Sequence, residues 1–252
     1  MLAIAASTAA CSLALHTTIG VLHWHSSLVN QHSEQLLPAV QHLLNQAQLL
    51  KPDLIAVDIG PGAFTSVRVA CGIAQGLALG WGCPVVAVES LTALAHQALL
   101  DHPQVRTVVC LLDARMGECY EAHYALSTNG IIQTCAPQLS PYMQTLHCEL
   151  NHTPDAVIGN AANVLPHWNT LAALAIHAHP SAAGVLAAAR AVHPEQWLLP
   201  EQLHPLYVRN QVALTAQERA QTSVQIGAQE RAHRAPQHPV QQVQDRKAGL
   251  LL

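Results

Sequence analysis

The stretch from Asp58 to Gly82, DIGPGAFTSVRVACGIAQGLALGWG, constrains the fold of this chain more than any other. A strand over Leu54–Ile59 runs into Gly60-Pro61-Gly62, a short loop ends at Thr65-Ser66, and a helix follows. In that helix Gly72, Gly76 and Gly80 recur every fourth residue and so share one face. Each glycine in a helix interior costs about 1 kcal/mol relative to alanine. Such a stripe requires a compensating close approach, either to the chain's own sheet or to a partner protein. Arg68, Gln75 and the glycines make the helix too short and too polar to span a membrane.

The chain has 252 residues, enough for one large domain or two small ones. Half of its residues are apolar but Phe64 is the only phenylalanine, so aliphatic residues and alanine must fill the interior. The net charge of −4 offers no electrostatic footprint for nucleic acid. The seven cysteines (11, 71, 83, 110, 119, 135 and 148) include no CxxC pair and read as small buried hydrophobes in a reducing compartment. The first residues, MLAIAASTAACSLAL, lack a basic leader and read as strands around a turn, and no other run reaches eighteen apolar residues; a cytoplasmic protein is the expectation. Seventeen histidines raise the question of metal binding, yet neither HExxH nor HxxxH occurs. His23-x-His25 and His177-x-His179 could each share a face only on a strand.

The hydropathy pattern predicts short strands at Leu2–Ile4, Cys11–His16 and Ile19–Trp24, then a helix capped by Ser33 and carrying Leu36, Leu37, Val40, Leu43, Leu44 and Ala47. The strand before Gly60, the glycine-faced helix, a strand over Pro84–Val88 and a helix over Leu91–Leu100 complete a first half, residues 1–103. The second half, 104–195, restarts with strands at Val105–Leu112, Glu118–Leu126 and Ile131–Cys135 and a weak helix at Leu139–Leu146. A strand at Asp155–Gly159 and helices at Ala161–Trp168 and Ala182–Val192 follow. The shared order suggests a duplicated α/β fold with mixed sheets. Residues 196–214 form a C-terminal segment returning to the first half, and 215–252, rich in Gln, Ala and Arg, read as a disordered tail.

The strand–loop–helix resembles the signature of the TsaB (YeaZ) family, bacterial subunits of the machinery that makes threonylcarbamoyladenosine in tRNA. The matching residues are Gly60-Pro61-Gly62-Ala63-Phe64-Thr65-Ser66-Val67-Arg68 and Ala74-Gln75-Gly76-Leu77-Ala78. His32-Ser33-Glu34 with Leu36-Leu37-Pro38, then Asp113-Ala114-Arg115-Met116-Gly117-Glu118 with Tyr120, and Pro205-Leu206-Tyr207-Val208-Arg209 match further family segments in order. The resemblance implies an actin-like (ASKHA) fold of two ribonuclease-H-like halves. It implies a non-catalytic dimerisation subunit with no cofactor, pairing with the catalytic paralogue TsaD and joined by the ATPase TsaE. TsaD transfers threonylcarbamoyl to N6 of adenosine 37 in ANN-decoding tRNAs, so tRNA is met only through the complex. The corresponding helices imply an association surface, for TsaD or a homodimer, at Ser33, Leu36, Leu37, Val40, Arg68, Gly72, Gly76 and Gly80.

One departure bears on chemistry. The family's first turn usually reads Ile-Asp-Thr-Ser, where this chain has Ile4-Ala5-Ala6-Ser7-Thr8, and Ala5 offers no oxygen to Mg²⁺. The rival reading is an actin-like enzyme, an ATP-dependent transferase or kinase or a glycoprotease-like hydrolase; it lacks that acid and the paralogue's HxxxH. Gly60-x-Gly62 could cradle a phosphate or serve as a structural turn. Asp113 and Arg115 could form a polar site or an ion pair that fixes a turn. Arg68, in a helix's first turn, is disfavoured by the dipole and needs a partner, expected to be a carboxylate of this chain or across an interface.

Overall fold

The computed structural model describes residues 1–26, 32–127, 130–142, 153–161, 164–165 and 168–209. Ten strands and four α-helices follow in order: β1 (Leu2–Ala5), β2 (Cys11–Thr17), β3 (Gly20–Ser26), α1 (His32–Ala47), β4 (Ile55–Asp58), α2 (Phe64–Trp81), β5 (Val85–Val88) and α3 (Ser90–Asp101), then β6 (Thr107–Arg115), β7 (Glu118–Ser127), β8 (Gly130–Pro141), β9 (Ala156–Gly159), β10 (Leu174–His177) and α4 (Ala182–Arg190). They build two five-stranded sheets, ordered β3-β2-β1-β4-β5 and β8-β7-β6-β9-β10. In each sheet the first three strands form an antiparallel meander and the last two add in parallel. The order 3-2-1-4-5 therefore occurs twice, the duplication anticipated from element order alone. Residues Met1–Val208 cluster as one unit.

Side-chain size sorts the faces of the first sheet. Strands alternate sides residue by residue. Leu2, Ile4, Leu13, Leu15, Ile55 and Val57 point to the face covered by α1 and α2. Their neighbours Ala3, Ala5, Ala14 and Ala56 point to the other, where α4 lies with Ala182, Val185, Leu186 and Ala189. An alanine floor lets α4 sit close. On the second sheet, Val108, Cys110, Leu112, Tyr120, Ala122 and Ile158 receive Leu91, Leu94, Ala95 and Ala98 of α3. Helix α4, drawn from the second half of the chain, thus covers the first sheet, so the packing changes sides before residue 195.

Helices α3 and α4 meet at Gly184. A Cβ built there would lie 2.2 Å from the Ala93 carbonyl oxygen. Ser181 caps α4, its hydroxyl accepting from the Gly184 N–H at 3.3 Å.

Several expectations shift in detail. Helix α1 begins at His32, so Ser33 lies inside its first turn rather than at the cap. Helix α2 begins at Phe64 with Ala63 at its N-cap. Leu139–Pro141 continue strand β8 rather than open a helix, because Cys119 and Tyr120 of β7 pair with Ser140 and Leu139. Residues 143–146 of that expected helix lie outside the described residues, as do Cys148, much of Ala161–Trp168 and the tail from 215; Trp168–Thr170 is a 3-10 turn. Of the described cysteines five are buried, only Cys135 is partly exposed, and none forms a disulfide. No described helix is long and apolar enough to cross a membrane.

Alanine is the better helix former by about 1 kcal/mol, yet Gly184→Ala is expected to destabilise the chain by about 1–3 kcal/mol through overpacking against Ala93. Urea unfolding of the variant checks this, and a stabilised variant would show that α3 can yield.

Candidate functional site

The turn at Gly60-Pro61-Gly62 is closed from within. Asp58 ends β4 fully buried, and its Oδ1 accepts the Gly60 N–H at 3.1 Å and the Ser90 hydroxyl. The Ala63 N–H donates to the Ser7 carbonyl at 2.7 Å and the Ser90 N–H to the Gly60 carbonyl at 2.8 Å. A Cβ at Gly62 would meet the Ser7 carbonyl oxygen at 2.2 Å. These contacts make the double glycine a structural turn sealed against the first hairpin, with the Gly60 and Ala63 N–H groups already committed. Asp58 Oδ2 and the buried Ser7 hydroxyl make no hydrogen bond among the described residues. Burial pushes the Asp58 carboxyl above its ordinary range, opposed by the hydrogen bonds from Ser90 and Gly60 and by the polar Ser7 beside it. Ala5 ends β1, fully buried on the alanine floor.

On α2 the sheet-facing residues are Val67, Ala70, Cys71, Ala74 and Ala78. Gly72, Gly76 and Gly80 are exposed, with nothing within 4 Å of an added Cβ. The stripe thus faces away from the chain's own sheet. With α2 beginning at Phe64, Arg68 opens its second turn, and its guanidinium lies 3.8 Å from the Phe64 ring centroid and 5.6 Å from that of Tyr207. Its Nε donates to the Tyr207 hydroxyl at 2.7 Å. The expected carboxylate partner is replaced by two ring faces and a phenol, which hold a cation without cancelling its charge. Phe64 and Tyr207 stay 43% and 45% exposed, and Leu79 farther along α2 is 63% exposed. Gln75 anchors the C-terminal segment to α2 by donating to the carbonyls of Pro200 and Leu203.

Helix α1 divides the residues named with it. Leu36 and Val40 are buried in the core of the first sheet and cannot also meet a partner, which corrects the expectation for both. Their side chains follow the helical period inward, whereas Leu37 is 48% exposed. The Ser33 side chain lies outside the described set.

Asp113 and Arg115 flank the tight turn between β6 and β7. The Asp113 carboxylate accepts from the Arg115 N–H at 2.7 Å and the Tyr142 hydroxyl at 2.9 Å, and it lies 3.3 Å from the Arg115 guanidinium. Asn160 Oδ1 accepts the Asp113 N–H at 2.8 Å. Arg115, Met116 and Gly117 all have positive φ, so the carboxylate supports a backbone that non-glycine residues resist. Burial and Asp113 together push the Tyr142 phenol up to about 12. The arrangement is that of a turn brace. His179 Nδ1 and the Thr8 hydroxyl share a 2.9 Å hydrogen bond across the two halves. Sequence reasoning missed this bond and the Arg68–Tyr207 pair, which join residues 171 and 139 positions apart.

Comparison with known proteins bears on this geometry. A family model described as "TsaD: tRNA N6-adenosine threonylcarbamoyltransferase" matches residues 26–238. The solved structure "YeaZ from Pseudomonas aeruginosa" is 31% identical, with a TM-score of 0.71, covering 82% of this chain and 98% of that one. The chain belongs to the TsaB (YeaZ) family. A second Pseudomonas aeruginosa structure, described as similar to peptidase YEAZ, superposes with a TM-score of 0.74 at 31% identity, over 82% of this chain and 98% of that one. The Escherichia coli K12 "tRNA threonylcarbamoyladenosine biosynthesis protein TsaB" is 41% identical over 52% of this chain and 57% of its own length. Its namesake from Haemophilus influenzae is 41% identical over 48% and 51%. The chain spans about half the length of these curated relatives. The family's actin-like (ASKHA) fold accounts for the twice-repeated strand order.

Because Asp58 holds its proton more tightly folded than unfolded, its ionisation opposes folding. The stability this proton confers is fully present below the ordinary value of 3.8 and is lost as pH rises through the raised folded value. Asp58→Asn keeps a neutral acceptor and removes that slope. Urea unfolding from pH 4 to pH 8 is expected to show the variant gaining on wild type as pH rises; parallel curves would contradict a raised carboxyl.

Proposed function

We propose that this chain is the non-catalytic scaffold of a tRNA threonylcarbamoyladenosine transferase, binding and supporting the catalytic TsaD subunit through the outer face of α2. The observation that carries the reading is the exposed glycine stripe. Gly72, Gly76 and Gly80 each cost the isolated helix about 1 kcal/mol, and no described residue of this chain approaches them to return it. A facing helix would return it through dispersion contacts at a spacing below the usual 8–10 Å, about the range for ordinary helix pairs. Leu79 and Phe64 on α2 and Leu37 on α1 supply apolar surface, and Arg68 a fixed charge. The relatives' printed name, tRNA threonylcarbamoyladenosine biosynthesis protein TsaB, supports a role in tRNA modification. The same face would serve a homodimer when TsaD is absent. TsaE joins the assembled pair in the cytoplasm, and tRNA is met only through it.

An enzyme is the less supported reading. Ala5 stands where actin-like ATPases carry an acid, and the Gly60 turn is occupied by its own chain. Asp113 braces a turn. The chain alone is expected to show no ATP hydrolysis or peptide cleavage above blank in a coupled assay. A rate abolished by one polar substitution would establish the enzyme instead.

Gly76→Leu separates the face from the fold. The space around Gly76 is open, so circular dichroism and melting temperature should hold, while association with TsaD in sedimentation falls at least tenfold. Gly76→Ala should raise the stability of the lone chain by about 0.5–1 kcal/mol. A folded Gly76→Leu chain that associates normally would remove α2 from the interface.

A further inference from the structure

Four strand edges end the two sheets, and three of them are protected. Val85 of β5 exchanges backbone hydrogen bonds with Leu198 at 2.9 and 2.8 Å, which covers that edge. Strand β8 is bulged against β7 and carries Pro137. Strand β10 is four residues long. Among the described residues, strand β3 has none of these devices. It runs seven residues, GVLHWHS, without proline or a Lys, Arg, Asp or Glu, and its register with β2 is unbroken from Thr17↔Gly20 to Cys11↔Ser26. An edge of that kind is a template for another strand.

The outward backbone groups follow from the hairpin. The two-residue loop Thr18-Ile19 makes Thr17↔Gly20 a hydrogen-bonded pair. Alternation then turns the N–H and C=O groups of Val21, His23 and His25 away from β2. His23 and His25 are both exposed, and they lie on the face opposite Leu22 and Trp24, which pack into the core under α1. Two imidazoles two residues apart on one strand face can chelate a single ion, and imidazole favours zinc, copper and nickel. Among the described residues of one chain no three His, Cys, Asp or Glu side chains form a metal-holding group. A second chain supplies what is missing. Antiparallel pairing of two β3 edges about a two-fold axis at Trp24 sets His23 opposite the partner copy's His25, and the reverse. Both positions carry outward backbone groups, so this register completes the ladder. Opposed residues in such a pair lie about 5.5 Å apart at Cα, so four imidazoles rise from one face around a common centre. Four nitrogen ligands satisfy a tetrahedral zinc ion at about 2.0–2.1 Å each.

We propose that the β3 edge is a self-association site in which His23 and His25 of two copies of this chain bind one divalent transition metal ion between them. The site is independent of α2, so the two associations are separable.

The test uses the full chain carrying Gly76→Leu, so that pairing through α2 does not contribute. Sedimentation in EDTA should give a monomer, and added zinc a dimer. Cobalt(II) titration should saturate at one ion per two chains, with the intense visible absorption of a tetrahedral site. His23→Ala with His25→Ala should abolish both responses while circular dichroism stays unchanged. His23→Lys, which places a charge on the edge, should do the same. A chain that stays monomeric in zinc would overturn the proposal. So would binding of one ion per chain without dimerisation, or zinc-driven dimers that survive the double alanine variant.

Discussion

The contact between α3 and α4 at Gly184 is the constraint on which the rest of the structure depends. Each helix covers the inner face of a different sheet, α4 the first and α3 the second. The two layers can join only as closely as these helices allow. A glycine at 184 brings the α4 backbone against the Ala93 carbonyl, and the alanines on the inner face of the first sheet let α4 settle low enough to reach it. Close packing at this depth leaves no room for a methyl group, because protein interiors are as dense as organic crystals.

Once the layers are joined, the ends of their strands meet, and several polar groups there bond to one another. Asp58 holds the Gly60 turn and Ser90, Asp113 holds the β6–β7 turn, and His179 reaches Thr8 from the other half. Open α/β sheets bind ligands at the carboxyl ends of their strands. In this chain much of the hydrogen-bonding capacity at that location is spent on structure. The exposed features of distinctive chemistry lie elsewhere, on the outer face of α2 and along the edge of β3.

Both surfaces owe their form to the same economy. Helix α2 buries its alanines and Cys71 and leaves its glycines outside. Strand β3 turns Leu22 and Trp24 inward and leaves two histidines out. In each case the inward face follows the period of its element, 3.6 or 2 residues, and the outward face holds residues that the core did not require.

Local chemistry made much of this readable. The Gly60-Pro61-Gly62 turn, the period of α2, the alternation of β1 and β2 and the repeated order of strands are all encoded within a few residues, because backbone preference and side-chain period act at short range. The family signature lies in the same local segments. Which side of α2 is buried was not readable, since a stripe of glycines fits a tight internal contact as well as an open surface. Leu36 and Leu37 look equally apolar in sequence, and only the packing of α1 on the first sheet sends one inward and the other out. Along the chain Arg68 reaches the Phe64 ring but no hydrogen-bond acceptor; Tyr207 arrives from 139 residues away, brought by a C-terminal segment that Gln75 and Leu203 fix to α2. The sequence by itself determined most of the elements, their order and the residues able to form turns, but not the extension of β8 through Leu139–Pro141 or strand β10. The tertiary structure decided which faces are covered and which distant side chains meet, because burial is a property of how whole elements pack and not of any one residue's neighbours in the chain.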